Sequence, residues 1–200
     1  DLYVYPNTLY ALRITGADLR AWLERSAGIY KRISPGGEDQ ALIDPAFPSY
    51  NFDMFDGVRY RIDLSQPSRY DPHGAEIDAD ARRIVDLTCD GAPVTDDMTF
   101  VVATNNYRAS GAGDFPGVRD GEVVLATQDT NQDIIARYIR EMGTIDAAKD
   151  QNWRFVPMPG TTVIFDTSPK AEAHLNEIGH NKVTHLGAGS GGFARFRIEL

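Results

Sequence analysis

The sequence predicts one α+β domain that spans residues 1–200, with a mixed β-sheet and about three helices. Short apolar runs, some alternating with polar residues, predict about six strands. Longer segments with apolar residues at helical spacing predict the helices, and 18 Gly and 11 Pro supply turns between the elements. Because strands and helices do not alternate regularly, an α+β arrangement is favoured over a doubly wound parallel sheet.

The first strand is predicted at residues 9–14, and a helix follows from about Gly16. Thr15 is a good N-cap residue, and Asp18 stands where a capping box needs its reciprocal acceptor. Apolar residues then recur on one helical face, and Gly28 marks the expected end of the helix. The apolar positions of this face are Leu19, Trp22, Leu23 and Ala27.

The middle of the chain is predicted to contain a long loop followed by strands. Residues 31–50 have no apolar period and contain many turn formers, which predicts a loop. Residues 57–63 alternate between apolar side chains and arginines, as in a half-buried strand, and residues 83–88 form a further strand candidate. The Asp-Gly pair at residues 90–91 is a hairpin signal, and residues 99–104, apolar on both faces, predict a central strand.

The last part of the chain is predicted to contain two helices and two strands. Residues 133–142 have apolar side chains in helical register, and residues 161–165 favour a strand. Ser168, followed by a proline, is typical of a helix start, and Gly179 is the expected stop. Residues 194–198 alternate between apolar residues and arginines, which predicts a final strand.

The composition excludes several classes of protein. Twenty-nine Asp and Glu against 20 Lys and Arg give a net charge of −9, which disfavours a polynucleotide partner. No segment approaches the roughly 20 apolar residues of a membrane helix, so no membrane partner is predicted. Cys89 is the single cysteine, so an intrachain disulfide and a thiolate zinc site are both excluded.

Catalytic and metal-binding patterns are weak in this sequence. The histidines have no HxH or HxxxH spacing, and no serine lies in a GxSxG frame. The glycine-rich residues 187–192 lead into a strand rather than a helix N-terminus, which favours a simple connection over a phosphate loop. We therefore predict no catalytic residue, metal site or cofactor within this chain. The four histidines are His73, His174, His180 and His185.

The segment that follows the predicted central strand is the best candidate for a ligand site. Ends of central strands often present ligand-binding groups, and this segment offers carboxamides, a phenol ring, a guanidinium and glycines. Asn and Gly are also ordinary turn formers, and a tyrosine here can equally cover the core. The candidate residues are Asn105, Asn106, Tyr107, Arg108, Gly111, Gly113 and Phe115.

The start of the chain offers a second aromatic candidate. Residues 1–5 form a strand-like apolar run without an initiator Met, so we expect this sequence to be a piece of a longer protein. Tyr5 is followed by Pro6, which fixes the backbone and favours a rigidly placed ring. Asn7 adds a polar group beside it. The alternative is that the tyrosines simply belong to an edge strand.

Six motifs in this sequence are distinctive: residues 3–9 (YVYPNTL), 15–24 (TGADLRAWLE), 49–53 (SYNFD), 57–63 (GVRYRID), 103–109 (ATNNYRA) and 152–155 (NWRF). Together they resemble the C-terminal domain of the 5′-nucleotidase family, and within it the bacterial 2′,3′-cyclic-nucleotide 2′-phosphodiesterase/3′-nucleotidases. The resemblance covers nearly the whole chain.

The resemblance implies a division of labour between two domains. An N-terminal domain, absent from this chain, would hold a divalent metal pair and hydrolyse 2′,3′-cyclic nucleotides and 3′-monophosphates. This chain would bind the nucleoside, with the N-terminal domain of the same polypeptide as its partner. It would be inactive alone, and the whole protein would be periplasmic or extracellular. The competing hypothesis is a non-catalytic nucleoside- or sugar-binding module of the same fold.

The resemblance also implies roles for the candidate residues. Tyr5 and Tyr107 would stack on the two faces of the base, with Phe115 competing with Tyr107 for the second position. The glycines would let their loop approach the ligand closely. The implied polar contacts to base, ribose or loop are Asn7, Asn105, Asn106 and Arg108, and the implied close-approach positions are Gly111 and Gly113.

Overall fold

The computed structural model describes residues 3–119, 121–145, 151–178 and 182–200. Within these ranges the chain forms eleven strands, three α-helices and three 3₁₀-helices. The helices are α1 (Gly16–Ala27), α2 (Asn106–Ala109) and α3 (Asn131–Met142), and the 3₁₀-helices are Ser49–Asn51, Pro169–Glu177 and Ser190–Gly192. The strands are β1 (Thr8–Thr15), β2 (Gln40–Ala41), β3 (Val58–Ile62), β4 (Ile84–Cys89), β5 (Ala92–Pro93), β6 (Thr99–Asn105), β7 (Glu122–Thr130), β8 (Trp153–Phe155), β9 (Thr162–Thr167), β10 (Val183–Ala188) and β11 (Ala194–Glu199).

The strands pair into three sheets. Strands β6, β1 and β7 form an antiparallel sheet in that order. The order β10-β11-β9-β2 describes the second sheet, and β5-β4-β3-β8 the third; each contains one parallel pair. None of the described helices combines the length and the apolarity that a membrane span requires. The predicted α+β fold with mixed sheets is confirmed.

Helix α1 is the element that joins β1 to the core. The Thr15 hydroxyl accepts the Asp18 amide at 3.1 Å, and the Asp18 carboxylate accepts the Thr15 amide at 2.9 Å, so the predicted capping box is confirmed. All four predicted apolar positions of the helix are buried. Trp22 packs edge-on to Phe55 at 5.0 Å and against Phe115 at 5.6 Å, which connects α1 to the loops that follow β2 and α2.

The prediction of a central strand at residues 99–104 is wrong. Strand β6 lies at the edge of its sheet, beside β1, and its residues alternate between exposed and half-buried. Val101 is 60% exposed. Apolar residues on both faces of a strand are typical of burial between two layers, but here Phe100 and Val102 pack against the core, whereas Val101 and Ala103 are exposed.

The start of the chain also differs from prediction. Residues 3–5 are not a strand, and β1 begins only at Thr8. Residues 1 and 2 of the predicted run lie outside the described ranges. Because Pro6 lacks the N–H that a sheet ladder needs, it keeps this segment out of the neighbouring sheet.

Other predicted elements are present but differ in the strand they lead into or in helix type. Asp90 and Gly91 both have positive φ, as a tight hairpin turn requires, but the turn leads into β5 rather than β6. The predicted loop at residues 31–50 contains the two-residue strand β2, an isolated bridge at Ile43 and the start of a 3₁₀-helix. Ser168 does cap a helix, which is of the 3₁₀ type, and the predicted stop at Gly179 lies outside the described residues.

Candidate nucleoside-binding cavity

An open cavity of about 1340 Å³ lies between the start of the chain, strand β6 and the loop that precedes β3. Its floor includes Trp22 of helix α1, and Cys89 at the end of β4 borders it. The three segments that line most of it are residues 3–7, residues 50–58 without Asn51, and residues 100–105 with Tyr107 and Arg108. The two segments that the sequence analysis proposed separately therefore meet at one cavity.

Three tyrosines expose large parts of their rings in this cavity. Tyr5 is 67% exposed, Tyr50 is 71% exposed and Tyr107 is 46% exposed. An exposed aromatic ring at a cavity wall offers a flat apolar face on which a planar ligand can stack. The cavity thus has three rings available for such a ligand.

A network of carboxamides ties the first segment to the end of β6. The Asn7 side-chain amide donates to Asn106 Oδ1 at 3.0 Å, and the Thr8 backbone amide donates to the same oxygen at 3.1 Å. Asn105 Nδ2 donates to the Tyr3 hydroxyl at 3.0 Å. Asn105 Oδ1 accepts the Arg108 amide at 2.7 Å and so caps α2. These groups hold the cavity wall in shape, and Asn106 is not among the lining residues.

Arg108 is a buried structural residue in this arrangement. It is 6% exposed, and its Nε and Nη2 contact the two carboxylate oxygens of Asp53 at 2.8 and 2.9 Å. Its Nη1 donates to Asn51 Oδ1 at 3.2 Å and to the Ala112 carbonyl. A guanidinium with every nitrogen engaged in this way fixes the loops around it.

Phe115 and the two glycines lie behind the cavity rather than in its lining. Phe115 is 4% exposed within the core. Gly111 and Gly113 have φ of 90° and 88°, where glycine is favoured. A Cβ at Gly113 would meet Arg108 Nη1, so this glycine allows the loop to close over Arg108.

The cavity lining contains few charges. Among the described lining residues the charged ones are Asp53, Asp56 and Arg108. Arg108 is paired with Asp53, so no uncommitted cation faces the cavity from the described part of the chain. The site therefore fits an uncharged, planar, polar ligand group better than a phosphate, which would need positive charge or a cluster of N–H donors.

Sequence reasoning missed part of this site. Tyr3, Tyr50 and Asp53 all contribute to it, and the latter two lie in the SYNFD motif, to which no role was given. A tyrosine and an aspartate in a proline-rich loop have no periodic pattern that separates a binding residue from a loop residue. The signal in the sequence that could have identified them was the SYNFD motif, which is one of the six that carry the family resemblance.

In the described ranges no group of three or more His, Cys, Asp or Glu side chains is placed to hold a metal ion. His174 and His185 contact Glu177 and Glu172 at 2.8 and 3.0 Å, away from the cavity, and His180 lies outside the described residues.

The fold is that of a 5′-nucleotidase C-terminal domain. The family model of the 5′-nucleotidase C-terminal domain matches residues 1–120, and the chain belongs to this family. A 5′-nucleotidase precursor from Thermus thermophilus superposes with a TM-score of 0.54 at 19% identity, over 77% of this chain and 26% of that one. At that identity the likeness supports the fold alone.

Two curated relatives are similar over the whole of this chain. The 2′,3′-cyclic-nucleotide 2′-phosphodiesterase/3′-nucleotidase of Haemophilus influenzae is 42% identical, and the chain covers 32% of its length. The trifunctional nucleotide phosphoesterase protein YfkN of Bacillus subtilis is 37% identical, and the chain covers 14% of its length. The chain therefore spans a third or less of each of these two relatives.

Proposed function

We propose that this chain binds the nucleoside part of a nucleotide substrate in the cavity between residues 3–7, strand β6 and the loop before β3. The proposal depends on the exposed tyrosine rings that share this cavity. Among the described lining residues, the one cationic side chain is Arg108, which is paired with Asp53. Tyr107 is the principal stacking ring, and Tyr5 and Tyr50 are the candidates for the opposite face of the base.

The expected affinity follows from the aromatic contacts. Each base–aromatic stack contributes about 1–3 kcal/mol, so two rings give on the order of 2–6 kcal/mol before the cost of association. A millimolar Kd corresponds to roughly −4 kcal/mol. We therefore expect weak binding with little base preference, because every base has a stacking face.

The charge distribution supports a division between base and phosphate. A nucleotide whose base lies on Tyr107 would extend its phosphate away from this wall, since Arg108 is committed to Asp53. The phosphate would be held by another part of the polypeptide. This agrees with the greater length of the relatives.

The whole protein is proposed to be a metal-dependent 2′,3′-cyclic-nucleotide 2′-phosphodiesterase/3′-nucleotidase that acts in nucleotide catabolism. A divalent metal pair in its N-terminal domain would supply the hydrolytic chemistry, and this domain would orient the sugar and base. Orientation of this kind raises the rate without any catalytic group in this chain. The whole protein is also proposed to be periplasmic or extracellular.

Protein-detected NMR titration of this chain with adenosine and 3′-AMP tests the binding role. We expect weak, saturable shifts at Tyr5 and Tyr107, with similar Kd for both ligands because the phosphate gains no contact here. Tyr107→Ala removes one stack of about 1–3 kcal/mol and is expected to raise the adenosine Kd about tenfold or more, measured from the shifts at Tyr5. Tyr138→Ala is the matched control, because Tyr138 is 52% exposed on helix α3 and does not line the cavity.

Two results would contradict the proposal. One is unchanged adenosine binding in Tyr107→Ala. The other is saccharide binding that adenosine does not compete with, which would favour a sugar-binding module instead.

A further inference from the structure

A stack of alternating aromatic rings and guanidinium groups leads from the core to Tyr107. The Arg25 guanidinium carbon lies 4.8 Å from the Phe47 ring centroid and 5.6 Å from that of Phe115. The Arg108 guanidinium carbon lies 4.2 Å from the same Phe115 ring and 5.8 Å from the ring of Tyr107. Phe115 is therefore the ring shared by both cations, and Tyr107 is the one exposed member at the cavity.

The Asp53 carboxylate that pairs with Arg108 is itself hydrogen-bonded to the core. Asp53 contacts two nitrogens of Arg108 and also accepts the Trp22 indole N–H at 2.8 Å. Trp22 is 2% exposed in helix α1. The guanidinium is thus tied to the core by hydrogen bonds, and its carbon lies over the Phe115 ring.

Arg25 is buried with few hydrogen bonds. It is 1% exposed, and its Nη2 donates to the Pro72 carbonyl at 3.0 Å. Its Nε and Nη1 are buried without a hydrogen-bond partner in the part of the chain that the structure describes. The rings of Phe47 and Phe115 both lie within cation–π distance of this guanidinium.

We propose that Phe115 is a positioning residue for Tyr107, acting through the guanidinium of Arg108 and not by touching the ligand. This inference depends on the proposed role of Tyr107 in base stacking. Phe115 is 4% exposed and does not line the cavity, so a direct ligand contact is not available to it. It can still help to position Arg108, whose guanidinium carbon lies 4.2 Å from the Phe115 centroid and 5.8 Å from the Tyr107 centroid.

The physical benefit is preorganisation. A ring that is already held at the cavity wall loses less conformational freedom when a base stacks on it. Replacing the π face of Phe115 by an aliphatic side chain would remove the cation–π contact to Arg108 and leave its guanidinium held by hydrogen bonds alone. We expect the Tyr107 ring to sample more positions as a result.

The test is an NMR comparison of the chain with its Phe115→Leu variant, using labelled tyrosine rings. In the absence of ligand, we expect the Tyr107 ring signals to shift and broaden in the variant. The adenosine Kd should rise about three- to tenfold, as expected when a cation–π contact is lost. Phe196→Leu is the matched control. Phe196 is 1% exposed on strand β11 of the second sheet, so we expect this variant to disturb the core without moving Tyr107.

A double variant separates positioning from direct contact. With Tyr107→Leu present, Phe115→Leu should have no further effect on adenosine binding. An equal further loss would overturn the positioning role, as would unchanged Tyr107 ring signals in Phe115→Leu. If Tyr107→Leu alone leaves binding unchanged, the proposed function fails instead. Phe115→Met, which fills a similar volume without a π face, replaces Phe115→Leu if the latter does not fold.

Discussion

The Tyr3 hydroxyl accepts a hydrogen bond from Asn105 Nδ2 at 3.0 Å, across a sequence separation of 102 residues. This contact joins the first described residue of the chain to the end of strand β6. Tyr3 also donates to Asn7 Oδ1 at 3.4 Å. As a result, the segment with Tyr5 is tied to the segment with Tyr107, although the two belong to no common sheet ladder.

Asn106→Ala is expected to loosen this connection. The Asn106 side-chain oxygen accepts both the Asn7 side-chain amide and the Thr8 backbone amide, and alanine leaves both donors without it. We expect faster hydrogen exchange at the Thr8 amide, by about tenfold for roughly 1–1.5 kcal/mol of lost interaction. Asn176→Ala, at an exposed position of a 3₁₀-helix, is the control. Unchanged exchange at Thr8 would show that the bond does not hold the segment.

Gly113→Ala is expected to destabilise the fold through a steric clash at Arg108. The added Cβ would lie 2.6 Å from Asn51 Oδ1 and close to Arg108 Nη1, at a φ of +88°. Gly160→Ala is the matched control, because Gly160 also has a positive φ, of +76°, but nothing lies within 4 Å of the added carbon. Chemical denaturation should show a loss about 1–3 kcal/mol larger for Gly113→Ala. Equal losses would mean that only backbone strain matters.

Arg83→Met is expected to cost about 3 kcal/mol or more of unfolding free energy, because buried carbonyls lose their donor. Arg83 is 1% exposed and donates to Ala27 O at 2.9 Å, Tyr30 O at 2.6 Å and Gln66 O at 3.0 Å. The first two carbonyls lie at and just beyond the end of helix α1. The neighbouring exposed Arg82 supplies the control, since Arg82→Met should stay within about 0.5 kcal/mol. Similar values for the two variants in urea denaturation would contradict this account.

The β10–β11 turn is expected to weaken in acid. Hydrogen bonds from Arg195 and from Ser190 hold the pKa of the Asp166 carboxyl well below its usual range. A carboxyl with a lowered pKa in the folded state contributes stability above its unfolded pKa, and this stability is lost as the pH falls through the folded pKa. Unfolding midpoints measured from about pH 5 to pH 2 should therefore fall less in Asp166→Asn than in the parent chain. Parallel curves would contradict the prediction.

Local signals in the sequence were enough to predict several elements. The Thr15 and Asp18 capping box placed the start of α1, and the spacing of its apolar residues identified its buried face, because both features act within one or two turns of helix. The Asp-Gly pair at residues 90–91 likewise identified its turn. The strand at residues 99–104 was found, but its edge position was not, because strand order depends on pairings between distant segments.

The distinction between local signals and long-range packing also holds for the site. The sequence by itself determined the α+β class, the family resemblance and the two segments around Tyr5 and Tyr107. The tertiary structure alone decided that these segments share one cavity and that Tyr50 joins them. It also decided that Arg108, although it lines the cavity, is buried and paired with Asp53, and that Phe115 is not part of the lining. Residue type fixes what a side chain can do, whereas exposure and partners depend on long-range packing. Arg108 illustrates this: its guanidinium suits a phosphate, but Asp53, 55 residues away in sequence, already occupies it.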